Sequence, residues 1–383
     1  MQGNSIECGL VTWMTLKSIT MSQTTRFQSL DVFRGMDVAL MIIVNSLGSY
    51  ETAWSPLLHA DWDGFTLTDL VFPTFLFVVG NSMFFSIGKY QTLGNGAVFG
   101  KIFKRTAIIF LLGYIMYWFP FFNISETGDL VFRPISHTRI FGVLQRIALC
   151  YGIAALIIHF FKTKAILIFS LFALVSYQLI LWMFGDMTLQ GNAGTKLDLW
   201  LIGADHLYHG EGVPFDPEGL LSTLPSTVNV LAGYLTAKFI RDHGVGYEAI
   251  AKLMITGAAL LLTAQWADLF VPINKKLWTA SYVFHTVGLD LLALPVVIYL
   301  IEFTGYRKWT SFFEVFGKNT LFVYLLSEFL VIMLYWIPAG EGSLYGYIYN
   351  AVSRPIAGDY TGSFLFGFWV MMMCWITGWV LDK

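Results

Sequence analysis

The stretch RFQSLDVFRGMDVALMIIVNSLGSYETAWSPLLHADWDGFTLTDLVFPTFLFVVGNSMFFSIG, residues 26–88, decides the fold of this chain. It contains two apolar runs, 38–44 and 70–86, and neither leaves the polar face that a helix needs to meet water. Both runs therefore predict membrane-spanning helices. A short polar loop with one histidine, His59, joins them, and we expect the chemistry of the protein in this loop.

Three polar side chains fall within these two predicted spans. Asp37 and Asn45 lie in the first span and Asn81 lies in the second. A polar group that faces hydrocarbon is costly, so each is expected to face protein or a water-filled cavity. Either a functional site or a hydrogen bond between helices would meet that requirement.

The composition of the whole chain is typical of a membrane protein. Of its 383 residues, 56% are hydrophobic and 13% are charged, whereas a globular domain carries about 25% charged residues. The mean hydropathy is +0.64, and the alternation typical of a transmembrane barrel is absent. These features predict an all-α integral membrane protein. The formal net charge of -2 argues against a nucleic-acid partner.

Ten apolar windows predict a bundle of about ten transmembrane helices around a polar cavity. The windows are 31–49, 66–88, 100–119, 139–161, 164–184, 220–240, 248–270, 277–303, 309–335 and 362–381. Most lysines and arginines outside them fall on the side of the two termini, which predicts cytoplasmic termini. We therefore expect a multi-pass protein of the inner (plasma) membrane lipid bilayer, with the His59 loop on the outer side. Its expected organisation is a loose cytoplasmic tail at 1–25 and a single transmembrane domain at 26–383.

Two further outer segments carry candidate substrate-binding residues. The long loop 185–219 contains Asp216 and Glu218 and is expected to form a sugar-facing wall or lid, or else a solvated connector. The segment before the eighth window contains Asn274 and Trp278. These two side chains suit a sugar and equally suit an aromatic belt at the membrane interface.

The sequence contains no recognised metal or nucleotide motif. His206 and His209, in the long loop, match no zinc-binding spacing, and there is no HExxH, so no metal is expected. A Walker loop and a GxGxxG after a strand are also missing.

Arg146 lies within the fourth predicted span. Its guanidinium stays charged and cannot face lipid cheaply. We expect it to bind an anionic ligand or to pair with an acid such as Asp37 or Asp290.

A series of motifs along the chain resembles one known family. The motifs are SLDVFRG at 29–35, VN at 44–45, HADWDGFTLTDLVFP at 59–73, RIFGVLQRIALCY at 139–151, FDPEGLLSTLPS at 215–226 and PINKKLWTASY at 272–282. The series is similar to the heparan-alpha-glucosaminide N-acetyltransferase family, and above all to its bacterial members. SLDVFRG also resembles the opening of the broader transmembrane acyltransferase group.

This resemblance implies an acetyltransferase that takes its acetyl group from cytosolic acetyl-CoA. The acceptor would be the amine of a glucosamine-like sugar on the outer, periplasmic side, belonging to a cell-wall, capsular or scavenged glycan. The resemblance matches His59 to the family's active-site histidine and Asn45 to the asparagine beside it. It also allows a homodimer, because members of the family tend to associate.

The chemistry of acyl transfer suits these two residues. A neutral imidazole can take the proton of the amine, and an amide can donate a hydrogen bond to the developing oxyanion. His59 could instead attack the thioester and form an acetyl-imidazole intermediate, and the sequence leaves both routes open. Asp61 or Asp63 is expected to orient the ring.

Basic residues on the cytoplasmic side are candidates for contact with the phosphates of CoA. Arg34 and Arg105 have the required charge, and Arg146 lies deeper in the bundle. Positive-inside topology would explain Arg34 and Arg105 without any ligand.

Two other functions are compatible with the sequence. The first is a transmembrane O-acyltransferase of surface polysaccharide, which would use the same histidine on a hydroxyl acceptor. The second is a transporter of sugars or lipid-linked glycans, for which polar residues within spans are ordinary features.

Overall fold

The computed structural model describes residues 27–88, 94–125, 128–340 and 342–383, so the predicted tail at 1–25 lies outside the described residues. Helices dominate the described part, which confirms the all-α expectation. They are α1 Gln28–Asn45, α2 Leu67–Ile87, α3 Asn95–Trp118, α4 Val143–Phe160, α5 Thr163–Phe184, α6 Ala193–Ile202, α7 Thr223–His243, α8 Tyr247–Asp268, α9 Ala280–Ile298, α10 Thr310–Lys318, α11 Thr320–Trp336, α12 Leu344–Ile348 and α13 Arg354–Leu381.

Short strands occur in two of the connections. β1 Phe122–Ile124 pairs antiparallel with β2 Leu130–Phe132 after α3. β3 Pro338–Ala339 pairs antiparallel with β4 Gly342–Ser343 after α11.

Six helical segments of the described chain are long and apolar enough to cross a membrane. They are Leu67–Ile87, Val143–Phe160, Thr163–Phe184, Tyr247–Asp268, Ala280–Phe303 and Leu344–Leu381. α10 and α11 meet at an angle of 83° and add a seventh crossing if together they form one broken span. Every predicted window overlaps a helix, but α1, α3 and α7 carry several charged side chains and are not among these segments. The chain is thus a multi-pass membrane protein, and the count of about ten spans stays a prediction.

α2 packs against α1, α4, α7 and α9, and glycines bring its backbone into contact with that of α7. A Cβ atom added at Gly80 would lie 1.8 Å from the carbonyl oxygen of Val230, and one added at Gly233 would lie 1.8 Å from that of Phe77. No other residue fits at such a distance, so the two helices approach as small-residue helix pairs do in membranes.

A second glycine pair fixes α1 against α10. A Cβ atom added at Gly35 would lie 1.9 Å from the carbonyl oxygen of Phe313, and one added at Gly317 would lie 2.1 Å from that of Asp31. α1 is therefore held closely, and it carries Arg34 near its start and Asn45 at its end. At the rise of an α-helix these two residues lie about 16 Å apart along the axis.

Candidate functional site

The loop between α1 and α2 is held by the first turn of α2. Thr66 precedes the helix and Asp69 lies within its first turn, and the Asp69 Oδ2 atom accepts a hydrogen bond from the Thr66 backbone N–H at 3.0 Å. The same oxygen accepts from the Ala60 backbone N–H at 3.1 Å. The Thr66 hydroxyl donates to the carbonyl oxygen of Leu58 at 2.6 Å. This reciprocal capping arrangement folds the loop back onto the helix end and fixes the position of residue 59.

His59 contacts the other oxygen of the same carboxylate. Its Nδ1 atom lies 2.7 Å from Asp69 Oδ1. The Asp69 side chain is 1% exposed, whereas that of His59 is 51% exposed. Lys275, in the connection before α9, places its Nζ atom 3.0 Å from His59 Nδ1 and 3.5 Å from Asp69 Oδ1. An ionised carboxylate can only accept hydrogen bonds, so the shorter contact assigns the ring hydrogen to Nδ1 and leaves the lone pair on Nε2.

The surroundings of His59 favour its neutral form. Partial burial lowers the pKa of the imidazole below its ordinary value of 6.5, and the positive charge of Lys275 lowers it further. The hydrogen bond to Asp69 acts in the opposite direction but does not reverse the shift. His59 is therefore a neutral base near pH 7.

His59 opens into a cavity of about 380 Å³, which we call the histidine cavity. Asn45 and Glu218 line the same cavity, together with Arg139, Tyr324 and Glu328. Asn45 lies 3.5 Å from Glu328, measured from Nδ2 to Oε1. The structure thus brings together His59, Asn45 and Glu218, three of the residues singled out from the sequence.

An ion-pair network forms one wall of the histidine cavity. The Arg139 guanidinium donates two hydrogen bonds to the Asp216 carboxylate, at 2.9 Å and 2.7 Å, and one to Glu218 Oε2 at 2.6 Å. The Asp216 side chain is 0% exposed. Asp216 therefore fixes the position of Arg139 without lining the cavity itself. A substrate in the cavity would contact Arg139 and Glu218, and not Asp216.

A second cavity of about 720 Å³, the arginine cavity, contains both arginines expected on the donor side. Arg34 and Arg105 line it, and so does Tyr324, which also lines the histidine cavity. Arg34 donates a hydrogen bond to the carbonyl oxygen of Gly317 at 2.9 Å. The Arg105 guanidinium lies 4.7 Å from the centre of the Tyr151 ring. The two cavities therefore meet at one shared wall residue.

Arg146, for which an anionic ligand or an acidic partner is expected, lies in neither of these two cavities. It is 0% exposed, and its guanidinium donates to the Ser226 hydroxyl at 2.9 Å, to the Gly219 carbonyl oxygen at 3.0 Å and to Ser222. It also lies 5.1 Å from the centre of the Trp278 ring. Among the described residues, Arg146 pairs with neither Asp37 nor Asp290, and its Nε atom is buried without a hydrogen-bond partner.

Asn274 and Trp278 are buried instead of facing the membrane interface. Asn274 is 0% exposed, and its Nδ2 atom donates to Asp63 Oδ1 at 3.1 Å. Trp278 is 1% exposed and donates from Nε1 to the Asn229 side-chain oxygen at 3.1 Å, while its ring borders the histidine cavity. The hydrogen bond to Asp63 therefore links the segment before α9 to the His59 loop, and Asn274 does not line the histidine cavity.

The carboxylate beside the ring is neither of the two expected from the sequence. Asp63 accepts from Asn274, and the backbone carbonyl of Asp61 accepts from Lys276 at 2.8 Å. Asp69 makes the ring contact instead. The spacing Thr66-x-x-Asp69 is a capping-box pattern and could have placed this carboxylate beside the loop. Nothing in the sequence indicated how near Lys275 would come to His59.

Within the described residues, the fold and the site define a helical multi-pass membrane protein with a histidine–aspartate pair in a polar cavity. The family model for the catalytic region of heparan-alpha-glucosaminide N-acetyltransferase matches residues 26–264. The chain belongs to this family, as the resemblance of its motifs predicted.

Two curated relatives carry the same name. The chain is 29% identical over 373 residues to heparan-alpha-glucosaminide N-acetyltransferase of Mus musculus, covering 81% of this chain and 54% of the relative. It is 28% identical over 365 residues to heparan-alpha-glucosaminide N-acetyltransferase of Homo sapiens, covering 79% of this chain and 53% of the relative. The chain thus spans about half the length of the curated relatives it matches.

Proposed function

We propose that this protein transfers an acetyl group from acetyl-CoA to the amine of a glucosamine-like sugar. The observation that carries the proposal is the 2.7 Å contact between His59 Nδ1 and Asp69 Oδ1 at the edge of a polar cavity. Membership of the N-acetyltransferase family supports the reaction class. The acceptor sugar enters the histidine cavity.

The paired carboxylate gives His59 the tautomer that a general base needs. Because Nδ1–H donates its hydrogen bond to Asp69, the Nε2 lone pair of the ring is available to accept a proton from the attacking amine. The imidazolium formed in that step is stabilised by the negative charge of Asp69. The same lone pair could attack the thioester carbon directly, so the direct and the acetyl-imidazole routes use one nitrogen.

Asn45 supplies the hydrogen-bond donor for the developing oxyanion. Asn45 is exposed and lines the histidine cavity, and among the described residues its Nδ2 atom donates only to Glu328, at 3.5 Å. A bond of that length is weak, so turning the amide toward a substrate oxygen costs little. The end of a closely packed helix is also a rigid place for such a donor.

The arginine cavity receives the phosphates of the donor. Arg34 and Arg105 provide two guanidinium groups, which suit phosphate oxygens. Tyr324 lines both cavities, so the donor would pass this residue between the arginine cavity and His59. The roughly 16 Å between Arg34 and Asn45 along α1 is then bridged by the arm that carries the acetyl group.

This arrangement also accounts for a reaction across the inner membrane. The excess of lysine and arginine on the side of the termini supports cytoplasmic termini, a cytoplasmic arginine cavity and an outer histidine cavity. Residues 26–383 act as one transmembrane acyltransferase domain, in which the donor arrives from one side and the acceptor from the other.

An acceptor panel tests the proposal against its two alternatives. Purified protein in detergent is supplied with radiolabelled acetyl-CoA and either glucosamine or N-acetylglucosamine, whose amine is blocked. Labelling of glucosamine alone is expected. Labelling of both sugars to the same extent would favour O-acylation. Labelled glucosamine that crosses a vesicle membrane unchanged, without consumption of acetyl-CoA, would favour a transporter.

A further inference from the structure

Four carboxylates line the histidine cavity, and three of them form an ion pair with a cation of the protein. The three ion pairs are Asp69–Lys275 at 3.5 Å, Glu211–Lys276 at 2.8 Å and Glu218–Arg139 at 2.6 Å. The fourth carboxylate is Glu328. Among the residues the structure describes, it forms no ion pair, and the Asn45 amide at 3.5 Å is its hydrogen-bond donor.

Glu328 lies midway along the apolar helix α11, the longer arm of the bent helix pair, where a lone charge is expensive. A carboxylate in such a place is stabilised by a cation, and the cavity is the side from which one could come. Glu328 is therefore the carboxylate of the histidine cavity that is best suited to a ligand of positive charge.

Tyrosines line the same cavity as this carboxylate. Tyr50, Tyr117 and Tyr324 are among the lining residues, together with Glu328. Aromatic rings and a carboxylate in one cavity are a recurring combination for binding ammonium groups, because ring faces attract cations. The composition of the cavity thus favours an organic ammonium over a hydroxyl group.

We propose that Glu328 binds the ammonium group of the acceptor, which makes the acceptor an amino sugar that enters in its protonated form. This inference rests on the proposed acetyl transfer and names the residue that selects an amine. Asn45 touches Glu328, so the bound nitrogen lies beside the amide that would hold the thioester oxygen. When the ammonium group binds the Glu328 carboxylate, Asn45 no longer donates to Glu328. Its amide can then donate a hydrogen bond to the thioester oxygen.

The proton balance of the step is complete with the residues present. The bound ammonium passes one proton to Glu328, and the neutral nitrogen then attacks the thioester carbon, forming the C–N bond while the C–S bond breaks. His59 Nε2 takes the second proton from nitrogen and delivers it to the departing thiolate. The proton on Glu328 leaves to water, so the net products are the amide, CoA thiol and one proton.

Equilibrium binding of two matched sugars tests the inference without relying on turnover. Calorimetric titration of the purified protein with CoA bound compares glucosamine with glucose, which has a hydroxyl in place of the amine. The wild type is expected to bind glucosamine at least about tenfold more tightly, the size of a hydrogen bond to a charged group. Glu328→Gln should lose this preference while its affinity for glucose and CoA stays unchanged.

Two further variants keep the test decisive. Glu328→Asp retains the charge and should retain part of the preference, even if the glutamine variant fails to fold. Glu248→Gln removes a carboxylate from the exposed face of α8, where it pairs with Lys252 at 2.6 Å, and should match the wild type.

The inference is overturned if the wild type shows no preference for glucosamine, including the case in which neither sugar binds. It is also overturned if Glu328→Gln keeps the full preference. Preferential binding of glucosamine without any acetyl transfer would instead refute the proposed function and leave the ammonium site standing.

Discussion

Asp69→Asn is the substitution that most directly perturbs the proposed base. The Oδ2 position accepts two backbone hydrogen bonds, from Ala60 and Thr66. Only the amide oxygen of asparagine can replace it there, so the Nδ2 group must face His59. Nδ1 of the ring then has to accept a hydrogen bond, which moves the ring hydrogen to Nε2 and removes the lone pair that takes the substrate proton.

The size of the effect follows from the bond that is lost. The hydrogen bond between the imidazole and a fully buried carboxylate is charge-assisted and contributes about 1.5–3 kcal/mol. If that free energy is lost from the transition state, the rate falls about 10- to 150-fold. The capping contacts of α2 are retained by the amide oxygen, so the protein should stay folded.

The assay is kcat/KM for acetylation of glucosamine, with binding of CoA as the check on folding. Asp242→Asn, which changes a partly exposed carboxylate near the end of α7, is the matched control and should match the wild type. An Asp69→Asn protein that binds CoA normally and retains kcat/KM within about twofold would refute the assignment of Asp69 as the residue that orients His59.

Three other substitutions have distinct expected outcomes. Lys275→Met removes a positive charge 3.0 Å from His59 Nδ1, so the pKa of His59 should rise. The acid limb of the kcat/KM profile, which lies below pH 6.5 in the wild type, should therefore move to higher pH, and an unchanged limb would contradict this. The double variant Arg34→Gln/Arg105→Gln should raise KM for acetyl-CoA about tenfold and leave KM for glucosamine unchanged. Equal changes in the two KM values would contradict the assignment of the arginine cavity to acetyl-CoA. Arg146→Ala removes the donor from buried hydroxyl and carbonyl oxygens and should lower the free energy of unfolding by about 1–3 kcal/mol, seen as reduced thermal stability. A stable variant that no longer binds acetyl-CoA would instead support a donor role for Arg146.

The helical membrane architecture could be predicted from the sequence because it depends on a composition-level signal. Long apolar windows have few folds available to them in a bilayer, and every predicted window overlaps a helix. The number of crossings was harder to predict, because α1 and α3 combine helical length with charged side chains, and α7 combines it with hydroxyl and amide side chains. The bend between α10 and α11 lies at Gly317-Lys318-Asn319, which contains no proline but does contain residues that favour a helix end.

The site was predicted only in part, for a different reason. Asn45 stood out as a polar residue in a predicted span and His59 as the single histidine of the polar loop. Both match a family motif, and the structure places both in one cavity. The residues that support them come from elements distant in sequence, such as the Lys275 segment. Arg146 shows the converse limit: a charge inside a predicted span indicates a ligand or an ion pair, whereas in the structure its guanidinium donates to serine hydroxyls at the start of α7.

The most direct test of the account is acetyl transfer from radiolabelled acetyl-CoA to glucosamine by purified wild type and by His59→Ala in detergent. We predict that the wild type labels the sugar and that the variant, with CoA binding intact, is slower by a factor on the order of 100 or more. Equal labelling by the two proteins would contradict the central claim that the His59–Asp69 pair carries out the reaction.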